Sequence, residues 1–204
     1  RMNVHGRDRN GCSSADFLQQ GESIVTLSHL FKREGCFLKD SLTRLPSDKK
    51  RIAWLAEETA ALTGLEHFPQ YLTLLFEVDA LFLNDDRHLN NIAVLEKGGR
   101  FGYCPIFDNG AGLLSNVQMA PMDIDSAALI RSAKARPFNT TFNRQVIHVR
   151  NLYGPQLHIP KFTEEELRRE LEEPLSYYAQ RDRGFIADRV CQTVLTRQKE
   201  HNKE

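Results

Sequence analysis

The run Tyr71–Leu83 is apolar apart from Thr73, Glu77 and Asp79, and it passes without a break into the polar stretch Asn84-Asp85-Asp86-Arg87-His88-Leu89-Asn90-Asn91. That junction constrains the fold more than any other feature of the chain. A segment apolar on nearly every side reads as a central buried helix, and Pro69 suits its first helical position. The run carries two acids and is too short to span a bilayer. Downstream, Ile92–Leu95, a turn at Lys97-Gly98-Gly99 and Phe101–Phe107 predict a β-hairpin. Upstream, Ser47 is an N-cap for a helix over Asp48–Thr63, with Gly64 closing it. Ile52, Leu55, Ala56, Thr59 and Leu62 fall at helical spacing and form its core stripe.

The flanks are less patterned. Residues 1–16 read as an irregular lead-in, and Ser23–Leu27 fits either a strand or a helix start. Residues 111–141 read as mostly loop with one short helix. Thr163-Glu164-Glu165-Glu166 is a capping box opening a helix toward Tyr178. A last helix is expected after Gly184, and residues 197–204 are expected to fray. The fold class is therefore mainly α (α+β), a helical bundle over 17–196 with a small β-hairpin. At 204 residues the chain is long enough for a substantial core without a disulfide or metal staple. Lys+Arg and Asp+Glu both number 27, so no net field favours nucleic acid or an anionic membrane. Cysteines 12, 36, 104 and 191 form no CxxC pair, which argues against a zinc module and suits reduced thiols in the cytoplasm.

Chemistry concentrates where the hairpin meets the polar stretch. Asp86 and Asn91 have the Asp-x-x-x-x-Asn spacing of a protein-kinase catalytic loop, and Asp108-Asn109-Gly110 has the outline of the magnesium-binding Asp-Phe-Gly. Folding the strands about Gly99-Arg100 sets positions 91 and 108 opposite each other at the hairpin's open end. A carboxylate and a carboxamide there could share a magnesium ion with substrate phosphates, while Asp86 accepts the proton of an attacking hydroxyl. The competing reading of Asp85-Asp86-Arg87 is a solvated polar turn, and that of Asp108-Asn109-Gly110 an ordinary turn. His88 reads as structural, bonding a nearby carboxylate or carbonyl.

The segments Leu83–Leu95 and Pro105-Ile106-Phe107-Asp108-Asn109-Gly110 resemble the C-terminal lobe of the HipA-like serine/threonine kinases, most sharply over 79–112. The resemblance implies a kinase-like C-lobe whose hairpin bears the metal site. By position it makes Asp86 the catalytic Asp, Asn91 and Asp108 the magnesium ligands, and His88 the loop histidine of the cofactor site. It further implies ATP and Mg2+ as cofactors, a protein substrate, and an antitoxin or an N-lobe as partner. Members of that family carry an ATP-covering lobe before this region. Here no GxGxxG occurs, and few residues precede Phe17. The chain is accordingly expected to be the C-lobe part of a kinase, cytoplasmic, without direct contact to nucleic acid or membrane. The alternative is a non-catalytic lobe that keeps the kinase shape as a regulatory or interaction module.

Overall fold

The computed structural model describes residues 14–202 and the backbone of two short paired strands, β1 (Met2–Val4) and β2 (Arg7–Arg9). Those strands replace the irregular lead-in expected at the start of the chain. Cys12 and the last two residues lie outside the described residues. The rest is mainly helical around a small antiparallel sheet.

Ser23–Leu27 resolves into both candidates. β3 (Ser23–Thr26) runs straight into α1 (Leu27–Arg33), with Thr26 Oγ1 accepting the His29 N–H as N-cap. α2 (Leu38–Thr43) follows, then α3 (Asp48–Thr63). α3 has the expected ends: Ser47 Oγ accepts the Lys50 N–H, and Gly64 is left-handed at φ 73°. Ile52, Leu55, Ala56 and Thr59 are buried, while Leu62 is partly buried against the same core. Trp54 joins that core, its ring 5.5 Å from the ring of Phe31.

α4 (Phe68–Phe82) is the central helix, packed against α3, α6 and α8. Its two acids are buried, and a buried charge survives only when paired. Asp79 meets Arg87, and Glu77 meets Arg150 of α6 (Phe142–Tyr153). α6 was not anticipated; its stripe Phe142, Val146 and Val149 is buried together with Gln145.

β4 (Ala93–Lys97) and β5 (Arg100–Tyr103) form the expected hairpin, but β3 adds a third strand on the free side of β4. The turn residues are Gly98 and Gly99, at φ 56° and 76°, and Lys97 pairs with Arg100. A two-residue hairpin turn of this kind needs positive φ at both centres, so it settles on the two glycines and not on Gly99-Arg100. The pairing therefore differs by two positions from the one expected, and the ladder ends at Val94 and Tyr103. Strand pairing does not bring 91 and 108 together.

After α5 (Ser126–Ser132) and α6, the capping box forms as expected at the start of α7 (Glu164–Ser176), with Glu166 and Thr163 bonding reciprocally. α8 (Gln180–His201) departs from expectation at both ends. Gly184 lies inside it, a cost of about 1 kcal/mol relative to Ala that burial of Ala187, Cys191 and Val194 offsets. The expected frayed tail is helical to His201 because its side chains are anchored. Arg197 donates to the Ala80 carbonyl and to Asn143 Oδ1, each at 2.6 Å, and Gln198 holds both backbone polar groups of Phe162. No helix among the described residues is long and apolar enough to cross a membrane.

His201 closes the Glu77 network. Its Nδ1 lies 2.8 Å from Arg150 Nη2, and its Nε2 lies 3.1 Å from the Leu157 carbonyl. Arg150 can only donate, so Nδ1 is the acceptor and Nε2–H the donor, which is the neutral ring. Burial first, and then the Arg150 charge, push the His201 pKa below its ordinary value; burial and Arg144 do the same at His148. A histidine depressed in the folded state contributes stability above its unfolded pKa and loses it as pH falls through the folded one. The melting temperature should therefore fall as pH drops below about 6.5. His201→Gln keeps one acceptor and one donor but does not titrate, so its melting curve against pH should be flatter between pH 7.5 and 5. Parallel curves would contradict the assignment.

Candidate functional site

The site begins where α4 stops. Leu83 takes a left-handed conformation, φ 52°, unusual for a branched residue. Its side chain is buried, and the N–H groups of Leu83 and Asn84 both donate to the Asp79 carbonyl, which over-determines the turn. The chain is thereby sent back along the end of α4. The same helix end receives the segment after Asp108, since the Leu113 N–H donates to the Phe82 carbonyl at 2.6 Å. Gly112 permits this approach: a Cβ there would lie 3.1 Å from the Phe82 carbonyl oxygen.

Arg87 organises everything around it. The side chain is fully buried, and each of its five N–H donors has an acceptor. Nε donates to Asp79 Oδ2 and Nη2 to Asp79 Oδ1, both at 2.9 Å. The other Nη2 hydrogen goes to Asn109 Oδ1 at 2.7 Å. Nη1 donates to the carbonyls of Asn91 at 2.9 Å and Phe107 at 2.6 Å. Asn84 Nδ2 adds a bond to Asp79 Oδ1 and another to the Asp108 carbonyl. Burial pushes the Asp79 carboxyl up, and the bonds from Arg87 and Asn84 oppose that rise. One guanidinium thus holds residue 91 beside residue 107 and grips both neighbours of Asp108.

The loop from 86 to 91 is closed by its own backbone. The Asp86 carbonyl accepts the His88 N–H at 2.8 Å and Asn91 Nδ2 at 3.1 Å, and the Asn91 N–H donates to the His88 carbonyl at 2.8 Å. Because a carbonyl can only accept, the Asn91 side-chain nitrogen is fixed toward Asp86 and its Oδ1 is turned away. Among the described residues nothing donates to that oxygen, although Asn91 is only 7% exposed. The carboxylates of Asp86 and Asp108 are exposed and likewise carry no bond to a described residue. Asp108 is left-handed at φ 55°. Beside Asp86, burial and then the Asp86 charge push the Asp85 carboxyl up.

The segments that carry Asp86, Asn91 and Asp108 are therefore brought together around Arg87, by a route the sequence pattern did not reveal. His88 lies in the same loop, but its side chain is turned elsewhere. Its ring is exposed, makes no hydrogen bond with a described residue, and lines a separate cavity of about 470 Å3 on the α1–α2 side. A second cavity, about 540 Å3 and mostly apolar, opens beside Asn109 and Gly110 against α7 and α8. Neither takes in the side chains of Asp86, Asn91 or Asp108.

Among the described residues, no three His, Cys, Asp or Glu side chains converge into a protein-only metal cage. A magnesium site built from one carboxylate and one carboxamide does not need such a cage, because water and phosphate oxygens complete its octahedron. Asn91 Oδ1 and the Asp108 carboxylate are oxygen donors free of other partners, so the donor set fits a hard cation. The residues that sequence reasoning missed are Asp79 and Arg87. Their signal was an acid set in an apolar helix, which has to find a cation nearby. Compared with protein-family models, curated proteins and solved structures, the chain matches none of them.

Proposed function

We propose that this chain is the magnesium-bearing, catalytic lobe of an ATP-dependent kinase that phosphorylates serine or threonine hydroxyls of a protein. One observation supports this reading above the others. The buried Arg87 ties the Asp86–Asn91 loop to the Asp108 segment and leaves three oxygen-bearing side chains of those two segments without described partners. A structural polar turn spends its side chains on its own backbone; here the backbone is satisfied by Arg87, Asn84 and Asn91, and the carboxylates are left over.

In this reading Asn91 Oδ1 and the Asp108 carboxylate hold magnesium, and the Asp86 carboxylate orients the acceptor hydroxyl and takes its proton. The metal, when bound, would neutralise charge on the ATP phosphates. Arg87 is a positioning residue: it fixes the loop without offering a free donor to a ligand. The resemblance to the HipA-like kinases points to the same three residues.

Magnesium binding tests the reading without depending on turnover. Titrated into the isotopically labelled chain and followed by NMR, magnesium should give saturable shifts confined to residues 84–91 and 108–110. Asp108→Asn should weaken this binding at least tenfold while leaving the fold intact. Shifts absent, or unchanged in Asp108→Asn, would overturn the metal assignment.

A further inference from the structure

The cavity lined by His88 shares a wall with the loop that presents Asp86, and its charge is one-sided. Lys32, Lys39 and Arg136 all line it, against a single carboxylate, Asp40. None of the three is hydrogen-bonded through its side chain to a described residue or closely ion-paired, although the Arg136 charge also acts on Asp85, beside which it lines a neighbouring cavity. Arg33, Arg51, Arg87 and Arg150, by contrast, all have carboxylate partners. Phe37 stands at the same cavity with 71% of its surface exposed. Unpaired cations around an exposed aromatic form a surface suited to an anionic chain with some apolar contact.

We infer that this cavity seats the phosphoryl acceptor, and that the acceptor is an acidic peptide segment presenting its serine or threonine hydroxyl to Asp86. The inference rests on the kinase reading above and adds the substrate class to it. Position carries half of the argument. His88 and Asn90 form one wall of the cavity, so a peptide lying there runs alongside the Asp86–Asn91 loop. Charge carries the other half. Asp86 and Asp85 would repel acidic residues placed next to the hydroxyl, with Arg136 offsetting part of the Asp85 charge, whereas Lys32 and Lys39 attract them further along the segment. The preferred acceptor therefore holds its acidic residues away from its hydroxyl. Nucleic acid suits the surface less well, because the chain's 27 basic and 27 acidic residues provide no wider positive field.

The test uses fluorescein-labelled serine peptides of equal length, one with acidic flanks and one with basic flanks, in fluorescence anisotropy at low salt. The acidic peptide should bind at least tenfold more tightly than the basic one, and 0.3 M salt should weaken it. The pair Lys39→Glu and Arg136→Glu should reduce its binding at least tenfold, while Lys161→Glu, outside the cavity, should leave it within twofold. Cys36 lines the cavity and is partly exposed, whereas Cys104 and Cys191 are buried. The acidic peptide should accordingly slow alkylation of Cys36, read by peptide mass mapping. Equal binding of the two peptides, or tighter binding of a single-stranded oligonucleotide of the same charge, would overturn the inference. Failure of the peptide to bind while magnesium still binds Asn91 and Asp108 would overturn the inference and leave the kinase reading standing. Peptide binding without any magnesium response would remove the acceptor role along with the kinase reading.

Discussion

Replacing Arg87 with methionine should lower the free energy of unfolding by about 3–5 kcal/mol, the cost of breaking a buried ion pair by removing one partner. Few single changes elsewhere in the chain should match it. Asp79 would remain at 1% exposure with only Asn84 as a side-chain donor, and the Asn91 and Phe107 carbonyls would lose a shared one. Domains of this size are commonly stable by only about 5–15 kcal/mol, so the variant should unfold at a much lower urea midpoint. Arg87→Lys keeps the charge but has neither the planar fork nor five donors, and should fall between the two. The double variant Asp79→Leu with Arg87→Met removes both charges. It should be more stable than Arg87→Met alone, while still short of the parent because the two carbonyls stay unpaired. A double variant no better than the single one would show that Arg87 acts through the carbonyls and not through Asp79.

That contrast also explains which parts of the fold could be read from the sequence. Elements whose cause is local were legible. Ser47 and Gly64 delimit α3, Thr163 and Glu166 open α7, and the hairpin itself was legible though its turn was centred one residue too late, because each needs only residues a few positions apart. What depended on distant partners was not legible. β3 pairs with β4 across the whole of α1 to α4, and nothing within Ser23–Thr26 specifies that strand as its neighbour. Residues 197–201 have the polar composition of a loose end, yet Arg197 is held by carbonyl and carboxamide oxygens of α4 and α6.

The candidate site divides in the same way. Asp86, Asn91 and Asp108 were legible as residue types at a spacing, and the structure does bring their segments together. The means was not legible. Read in one dimension, Arg87 sits in a run of charged residues and looks solvated; in the fold it is the only member of Asp85-Asp86-Arg87-His88 that is buried. The hairpin supplies a scaffold for β4, but the meeting of 91 and 107 is a matter of one guanidinium and two carbonyls.

The largest effect on activity should come from Asp86→Asn. Under the proposed kinase reading, this change should slow phosphoryl transfer by about 10²–10⁴-fold, the usual contribution of a positioned base. Asn matches Asp in size, and the loop is closed by the Asp86 carbonyl and not by its side chain, so the fold should survive. The loss should therefore fall on the rate of transfer, with magnesium and nucleotide binding close to the parent's. Asp108→Asn should do the reverse in part: nucleotide binding that depends on magnesium should weaken, and raising magnesium should recover some of the activity. The two changes thus differ in their response to metal, which a general loss of stability cannot imitate. Radiolabelled transfer from ATP to a serine peptide, measured across a magnesium titration, separates them. If Asp86→Asn retains the parent's rate, Asp86 is not the base. If both variants respond to magnesium alike, the division of labour between the loop and the Asp108 segment is wrong.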